Sequence, residues 1–159
     1  MKFLNEIDKT EASEEIDFGE MPIANAFYKD VVQHNTFNMT VGFFESCKLV
    51  QLKNQPEASD MFNEDYAFIT GTSQSMVNHF HGVADQLHER FSWSESSTVM
   101  EIGCNDGPLL DSLTKKGYRP IGIDPASNIV SQASQKGLNV ICDSFNLESI
   151  EVHQLVNTC

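Results

Sequence analysis

The chain has no Cys-x-x-Cys pair and no Cys/His grouping spaced to hold zinc, and its cysteines, Cys47, Cys104, Cys142 and Cys159, stand far apart. Isolated thiols of this kind read as small, partly buried side chains rather than metal ligands. Basic residues are also scarce: 10 Lys and Arg face 23 Asp and Glu, for a net charge of −13. A surface of that sign repels a phosphate backbone, which argues against nucleic acid as a partner. A nucleotide-linked small molecule stays open, because it needs only one local pocket, and the acid excess otherwise serves solubility. The excess is uneven, with 6 basic and 16 acidic groups in residues 1–95 against 4 and 7 in residues 96–159. No apolar run approaches a membrane span, and the start, Met1-Lys2-Phe3-Leu4-Asn5-Glu6-Ile7-Asp8, turns polar at once. Neither a membrane segment nor a secretory leader is expected, so the expected location is cytoplasmic.

What is present divides into a preface and an α/β half. Residues 1–15, polar with weak periodicity, read as a poorly fixed arm. Asp17 to Pro22 reads as turn and extended chain, and Ile23 to Tyr28 as a short packed segment. Thr36–Phe43 and Lys48–Leu52 carry strand formers around a four-residue gap, which predicts an antiparallel hairpin. Pro56 to Asp65 is a polar connector with room for one helical turn. From Ser73 to Phe91, Met76, Val77, Phe80, Val83, Ala84, Leu87 and Phe91 fall on one stripe, the strongest helix signal in the chain. Ser73 or Ser75 could cap this helix, which is expected to pack on the sheet that follows. Strands are expected at 98–102, 119–123 and 138–142, with helices at about 107–116, 126–136 and 146–156. Gly117 and Gly137 stand where C-cap glycines belong. The expected organisation is an arm and hairpin module over 1–56, a connector and long helix over 57–95, and an α/β domain over 96–159.

The chemistry gathers at Val99 to Leu110, where an apolar run meets Glu101 and then the turn Gly103-Cys104-Asn105-Asp106-Gly107. A second apolar run ends at Asp124, the spacing of a nucleotide-binding βαβ unit. A dinucleotide pyrophosphate usually meets three glycines and no negative charge. Here the turn has two glycines and an aspartate, which opposes a pyrophosphate and so disfavours an NAD-dependent oxidoreductase. The same charge suits a ligand carrying an amino group and a sulfonium, S-adenosylmethionine. In that reading Glu101 adds a second carboxylate, Asp124 accepts from the ribose hydroxyls and Asp143 receives the adenine amino group. Each has a structural alternative: Glu101 as a solvated strand end, Asp106 as a turn or cap residue, and Asp124 and Asp143 as helix caps.

Glu101 to Gly107, followed by Gly122-Ile123-Asp124-Pro125-Ala126, resembles class I S-adenosylmethionine-dependent methyltransferases. The resemblance is narrower to the sugar C-methyltransferases acting on nucleotide-linked 4-keto deoxysugars, through Gly19–Asn25, Cys47–Leu52 and Tyr66–Ser73 with Met76 and His79. It implies a Rossmann-like parallel sheet and S-adenosylmethionine at Glu101, Gly103, Asn105, Asp106, Gly107, Asp124, Pro125 and Asp143. It further implies a nucleotide-linked sugar as small-molecule substrate and methylation of a carbon beside a ketone. Tyr66 and His79 are its weak catalytic candidates. Tyr66 alternatively serves as a core aromatic beside Phe62 and Phe68, and His79, like His81, as a solvated or structural residue. The family's N-terminal module holds zinc through two Cys-x-x-Cys pairs; here only Cys47 remains, with Phe44 at its partner's place, so a zinc-free remnant is expected. The family sheet has seven strands and a further C-terminal domain, so a chain with three strands is expected to be either a fragment or a degenerate gene product. Two classes of function follow: the N-terminal part of a C-methyltransferase, or a truncated, non-catalytic module binding S-adenosylmethionine or a nucleotide. The open sheet edge invites self-association.

Overall fold

A computed structural model describes residues 2–23, 35–91, 93–94 and 97–155. The packed segment expected at Ile23 to Tyr28 lies, from Ala24 on, outside these residues. The chain divides into two units, Met1–Met61 and Phe62–Cys159.

The first unit holds a three-stranded antiparallel sheet, β1 (Glu14–Pro22), β2 (Thr36–Phe44) and β3 (Leu49–Leu52), then the single turn α1 (Ala58–Met61). The expected hairpin is β2–β3; β1 is an addition. It pairs along β2, its register shifting between Asp17 and Glu20, where Gly19 takes φ +73° and its N–H donates to Asp17 Oδ1 at 2.8 Å. The turn signal at Asp17–Gly19 is therefore a bulge inside a strand. Its acidic, exposed residues suit an edge strand.

The arm is seated, contrary to expectation. Phe3, 5% exposed, packs edge to face on Phe44, ring centroids 5.1 Å apart, and lies over Gly42, where a Cβ would meet its ring. Asn5 is fully buried; its Oδ1 accepts from the N–H groups of Ile7 and Asp8, and its Nδ2 donates to Asp8 and Thr10. A side chain that satisfies its own turn in this way fixes polar sequence without hydrophobic periodicity. Phe44, fully buried, belongs to this apolar core.

The second unit is α/β. After a short 3₁₀ turn (Thr70–Thr72) come α2 (Gln74–Phe91), β4 (Thr98–Ile102), α3 (Pro108–Lys115), β5 (Arg119–Asp124), α4 (Ser127–Gln135), β6 (Val140–Cys142) and α5 (Leu147–Val152). The sheet order is β4-β5-β6, all parallel, with Glu101 level with Gly122 and Asp124 level with Cys142. This is the expected Rossmann-like α/β arrangement. Both glycine caps form: Gly117 and Gly137 take φ +89° and +80°, and Tyr118 and Leu138 donate back to Leu113 and Ala133. That is the Schellman closure for which glycine is preferred. Ser73 Oγ accepts from the Met76 N–H at 3.4 Å at the start of α2.

Helix α2 packs chiefly on α3 instead of on the sheet. Ala84 joins Leu113 and Tyr118 in a buried cluster, with Trp93, Leu109 and Val99 of β4 against it. A helix can show a clean apolar stripe and still meet another helix, since the stripe does not encode its partner.

Candidate functional site

The cofactor-binding candidates singled out by sequence gather at the carboxyl edge of β4, β5 and β6, where open α/β sheets bind ligands. The turn after β4 is held to β5 by the N–H groups of Gly103 and Cys104, which donate to Ile123 O at 2.8 and 3.3 Å. Three positions in five residues are left-handed: Gly103 at φ +74°, Asn105 at +51° and Gly107 at +84°. Two are glycine and one asparagine, the residues that adopt this region at least cost. Cys104, 2% exposed, fills the space that Gly122 leaves: a Cβ at position 122 would lie 2.5 Å from its Sγ. Burial, with the charges of Glu101 and Asp124, pushes the Cys104 thiol up to about 12, so it remains a neutral packing group.

Glu101 and Asp124 form the charged centre. Asp124, 7% exposed, accepts from the Asn105 N–H at Oδ2 (2.9 Å) and from the Ala126 N–H at Oδ1 (3.0 Å), so it braces the turn and the start of α4. Glu101 Oε2 is buried and has no hydrogen-bond partner among the described residues. Burial, and then the negative charge of Asp124, pushes the Glu101 carboxyl up to about 7. Above Gly103 the space is open, with nothing within 4 Å of where a Cβ would stand, whereas a Cβ at Gly107 would overlap Leu138 Cδ1.

Asp106 is arranged differently from the charge argument made on sequence. It is 2% exposed; Oδ1 accepts from the Gly71 N–H at 2.8 Å, and Oδ2 is ion-paired with Lys136 Nζ at 2.7 Å. Lys136 also donates to the Asp106 carbonyl at 2.9 Å. The Asp106 charge is thus compensated within the protein, and the negative character of the site comes from Glu101 and Asp124. Lys136 went unnoticed on sequence, although it is the sole Lys or Arg after Arg119 and so the one downstream cation able to balance a buried acid in the turn.

Segment 66–71, which runs into the 3₁₀ turn, lies against the glycine turn. Asn105 Nδ2 donates to Phe68 O at 3.0 Å, and Asn105 Oδ1 accepts from the Thr70 N–H at 2.8 Å. From α4, Asn128 Nδ2 donates to Tyr66 O at 2.9 Å, while its Oδ1 is buried and unpartnered among the described residues. Tyr66 is half-buried with its ring 5.5 Å from that of Phe62. Asp143, half-buried just past β6, accepts from the Ser144 N–H at Oδ1 and meets His153 Nε2 at 3.1 Å at Oδ2. Pro125 is half-buried between Asp124 and α4.

His79 and His81 are exposed on α2, and neither bonds to a residue of the turn. His81 lines a cleft of about 380 Å³ with Asp85, Ser112, Lys115 and Lys116, between α2 and the later part of α3. Among the described residues no group of three or more His, Cys, Asp or Glu is arranged to hold a metal ion, and no helix is long and apolar enough to cross a membrane.

The family profile described as methionine biosynthesis protein MetW matches residues 86–154, which include the turn and all three parallel strands. The C-methyltransferase NovU of Streptomyces niveus is 26% identical over 136 residues, covering 84% of this chain and 32% of NovU. An uncharacterized methyltransferase of Schizosaccharomyces pombe, C70.08c, is 33% identical over 51 residues, covering 32% of this chain and 20% of its own. The structure of the plantazolicin methyltransferase BpumL in complex with SAH shares 19% identity at a TM-score of 0.35, over 44% of this chain and 30% of that one. The match spans about a third of the length of NovU. By its glycine turn, its parallel sheet and these sequence relatives, the chain resembles class I S-adenosylmethionine-dependent methyltransferases, and among them C-methyltransferases such as NovU.

Proposed function

We propose that the Phe62–Cys159 unit binds S-adenosylmethionine along the carboxyl edge of β4–β6, as the cofactor-binding part of a methyltransferase. The observation that carries this reading is Glu101 Oε2. A buried carboxylate oxygen without a donor is costly, and the charge of Asp124 adds to the cost. An ammonium group beside it would supply both the missing donor and the counter-charge. The other residues fit the rest of the molecule. Gly103 leaves room for close approach of a ligand to the backbone. Each Asp124 oxygen is engaged by one backbone N–H and keeps a lone pair for a ribose hydroxyl. Asp143 keeps acceptor capacity for an adenine amino group by the same count. Asn105, Asp106 and Gly107 shape the turn, and Pro125 starts the chain toward α4.

S-adenosylmethionine, when bound, supplies an electrophilic methyl group on sulfur. The part played by this chain is to hold charge and orientation, with Glu101 at the methionine end, Asp124 at the ribose and Asp143 at the adenine end. Tyr66 is the candidate for a contact at the reacting end, and His79 the weaker one for proton transfer. For the whole protein, the likeness to NovU supports C-methylation, and we extend it to a nucleotide-linked 4-keto deoxysugar. That reaction needs a base for the proton beside the ketone and a donor for the enolate oxygen. A second reading is a cofactor-binding module without turnover. β4 pairs with β5 alone among the described strands, and self-association through its other side is a further expectation.

Calorimetric titration of the 159-residue chain separates these readings. S-adenosylhomocysteine should bind and NAD should not; binding of NAD alone would sink both readings. Methyl transfer to a 4-keto nucleotide sugar would select the enzyme over the module.

A further inference from the structure

The glycine turn has two side chains that face neither solvent nor β5. Asn105 presents its amide to segment 66–71 as a neighbouring strand would, taking the carbonyl of Phe68 and the N–H of Thr70 on either side of Ile69. One residue on, Asp106 takes the N–H of Gly71, and Gly71 is so close that a Cβ there would overlap Asp106 Oδ2. Lys136 holds Asp106 from behind, and Asn128 ties Tyr66 to α4. Segment 66–71 is thereby fastened, through side chains of the turn and of α4, to the strand edge where Glu101 and Asp124 lie. Nothing in the segment's own composition would hold it there: Phe68 is 53% exposed, and Thr70 is its one buried residue.

We propose that Asn105 and Asp106 are positioning residues that clamp segment 66–71 along the cofactor edge, and that closing this clamp is coupled to ligand binding at Asp124. This rests on the cofactor reading given above. The coupling runs through Asn105, whose backbone N–H is held by Asp124 Oδ2 while its side chain holds the segment. A ligand whose hydroxyls bond to Asp124 fixes that carboxylate, and with it the residue that grips Phe68 and Thr70. The segment in turn walls the edge and sets the place of Tyr66. A left-handed asparagine in such a turn would otherwise be interchangeable with glycine; here the amide gives it a task that glycine cannot perform.

Hydrogen exchange tests this on the whole chain, with S-adenosylhomocysteine as the probe. In the free protein the Thr70 and Gly71 amides should be protected, and the ligand should slow their exchange further. Asn105→Gly relaxes the backbone at φ +51° while removing both side-chain bonds. It should release the Thr70 amide, leave the unfolding midpoint near that of the parent and weaken S-adenosylhomocysteine binding about tenfold, the worth of one to two hydrogen bonds. Unprotected Thr70 and Gly71 amides in the free parent would overturn the clamp alone. Parent-like affinity in Asn105→Gly with Thr70 released would overturn the coupling. A parent that binds no S-adenosylhomocysteine would overturn the cofactor reading and the clamp's role in it. Should Asn105→Gly fail to fold, the ligand-induced slowing at Thr70 and Gly71 in the parent decides, and its absence counts against the proposal.

Discussion

Alanine in place of Gly107 is expected to lower the stability of the Phe62–Cys159 unit by about 3 kcal/mol, read as a fall in the urea midpoint. Two effects add at this residue. Its φ of +84° is one that an L side chain adopts at a cost of roughly 1 kcal/mol. The new methyl would also overlap Leu138 Cδ1 in a buried place, and such overpacking costs about 1–3 kcal/mol. Gly103 is the control, because it shares the left-handed backbone at φ +74° but opens onto free space. Alanine there should cost only the conformational part, about 1 kcal/mol. Equal losses at the two sites would mean that Leu138 does not close over the start of α3.

Glu101→Gln is expected to make the protein more stable and a poorer binder at the same time. In the folded chain Glu101 keeps its proton up to about pH 7, against an ordinary value of 4.5. Between those two values the native state binds more protons than the unfolded chain, so the Glu101 contribution falls as pH rises and is lowest above 7. Glutamine removes that penalty. The variant should therefore exceed the parent by roughly 2–3 kcal/mol at pH 8, with the gain shrinking through pH 6 and gone below about pH 4.5. Unfolding curves at these pH values check the sign, and a gain that grows toward acid would refute it. The loss of the counter-charge should meanwhile weaken S-adenosylhomocysteine binding about tenfold or more. Stability and binding moving in opposite directions is the mark of a group kept for a ligand at a cost to the fold.

How much of this could be read from sequence depended on whether the cause was local. The parallel strands, α3, α4 and the caps at Gly117 and Gly137 follow from apolar runs and glycine placement within a few residues, and they stand where expected. That Glu101, Asp124 and Asp143 meet at one sheet edge is legible for the same reason, because strand ends and glycine turns are local signals. β1 was missed because its acidic residues and the bulge at Gly19 mimic a turn, and its strand state depends on β2, more than a dozen residues away. The arm was misread because Phe3 finds its place only on Gly42 and Phe44. The stripe on α2 was legible, but α3 as its partner was not. At that edge, local signals place the acids but not their protein partners. Lys136 reaches Asp106 across 30 residues, and segment 66–71 meets the turn across about 35, pairings that no spacing rule contains.

The central claim, that an S-adenosyl ligand lies on the carboxyl edge of β4–β6, is tested most directly by amide resonances followed during titration with S-adenosylhomocysteine. Shifts are expected to concentrate at Glu101 to Gly107, at Asp124 to Ala126 and at Asp143. Shifts centred instead on the cleft of His81, Asp85 and Lys116, or no shifts in the Phe62–Cys159 unit at saturating ligand, would contradict it.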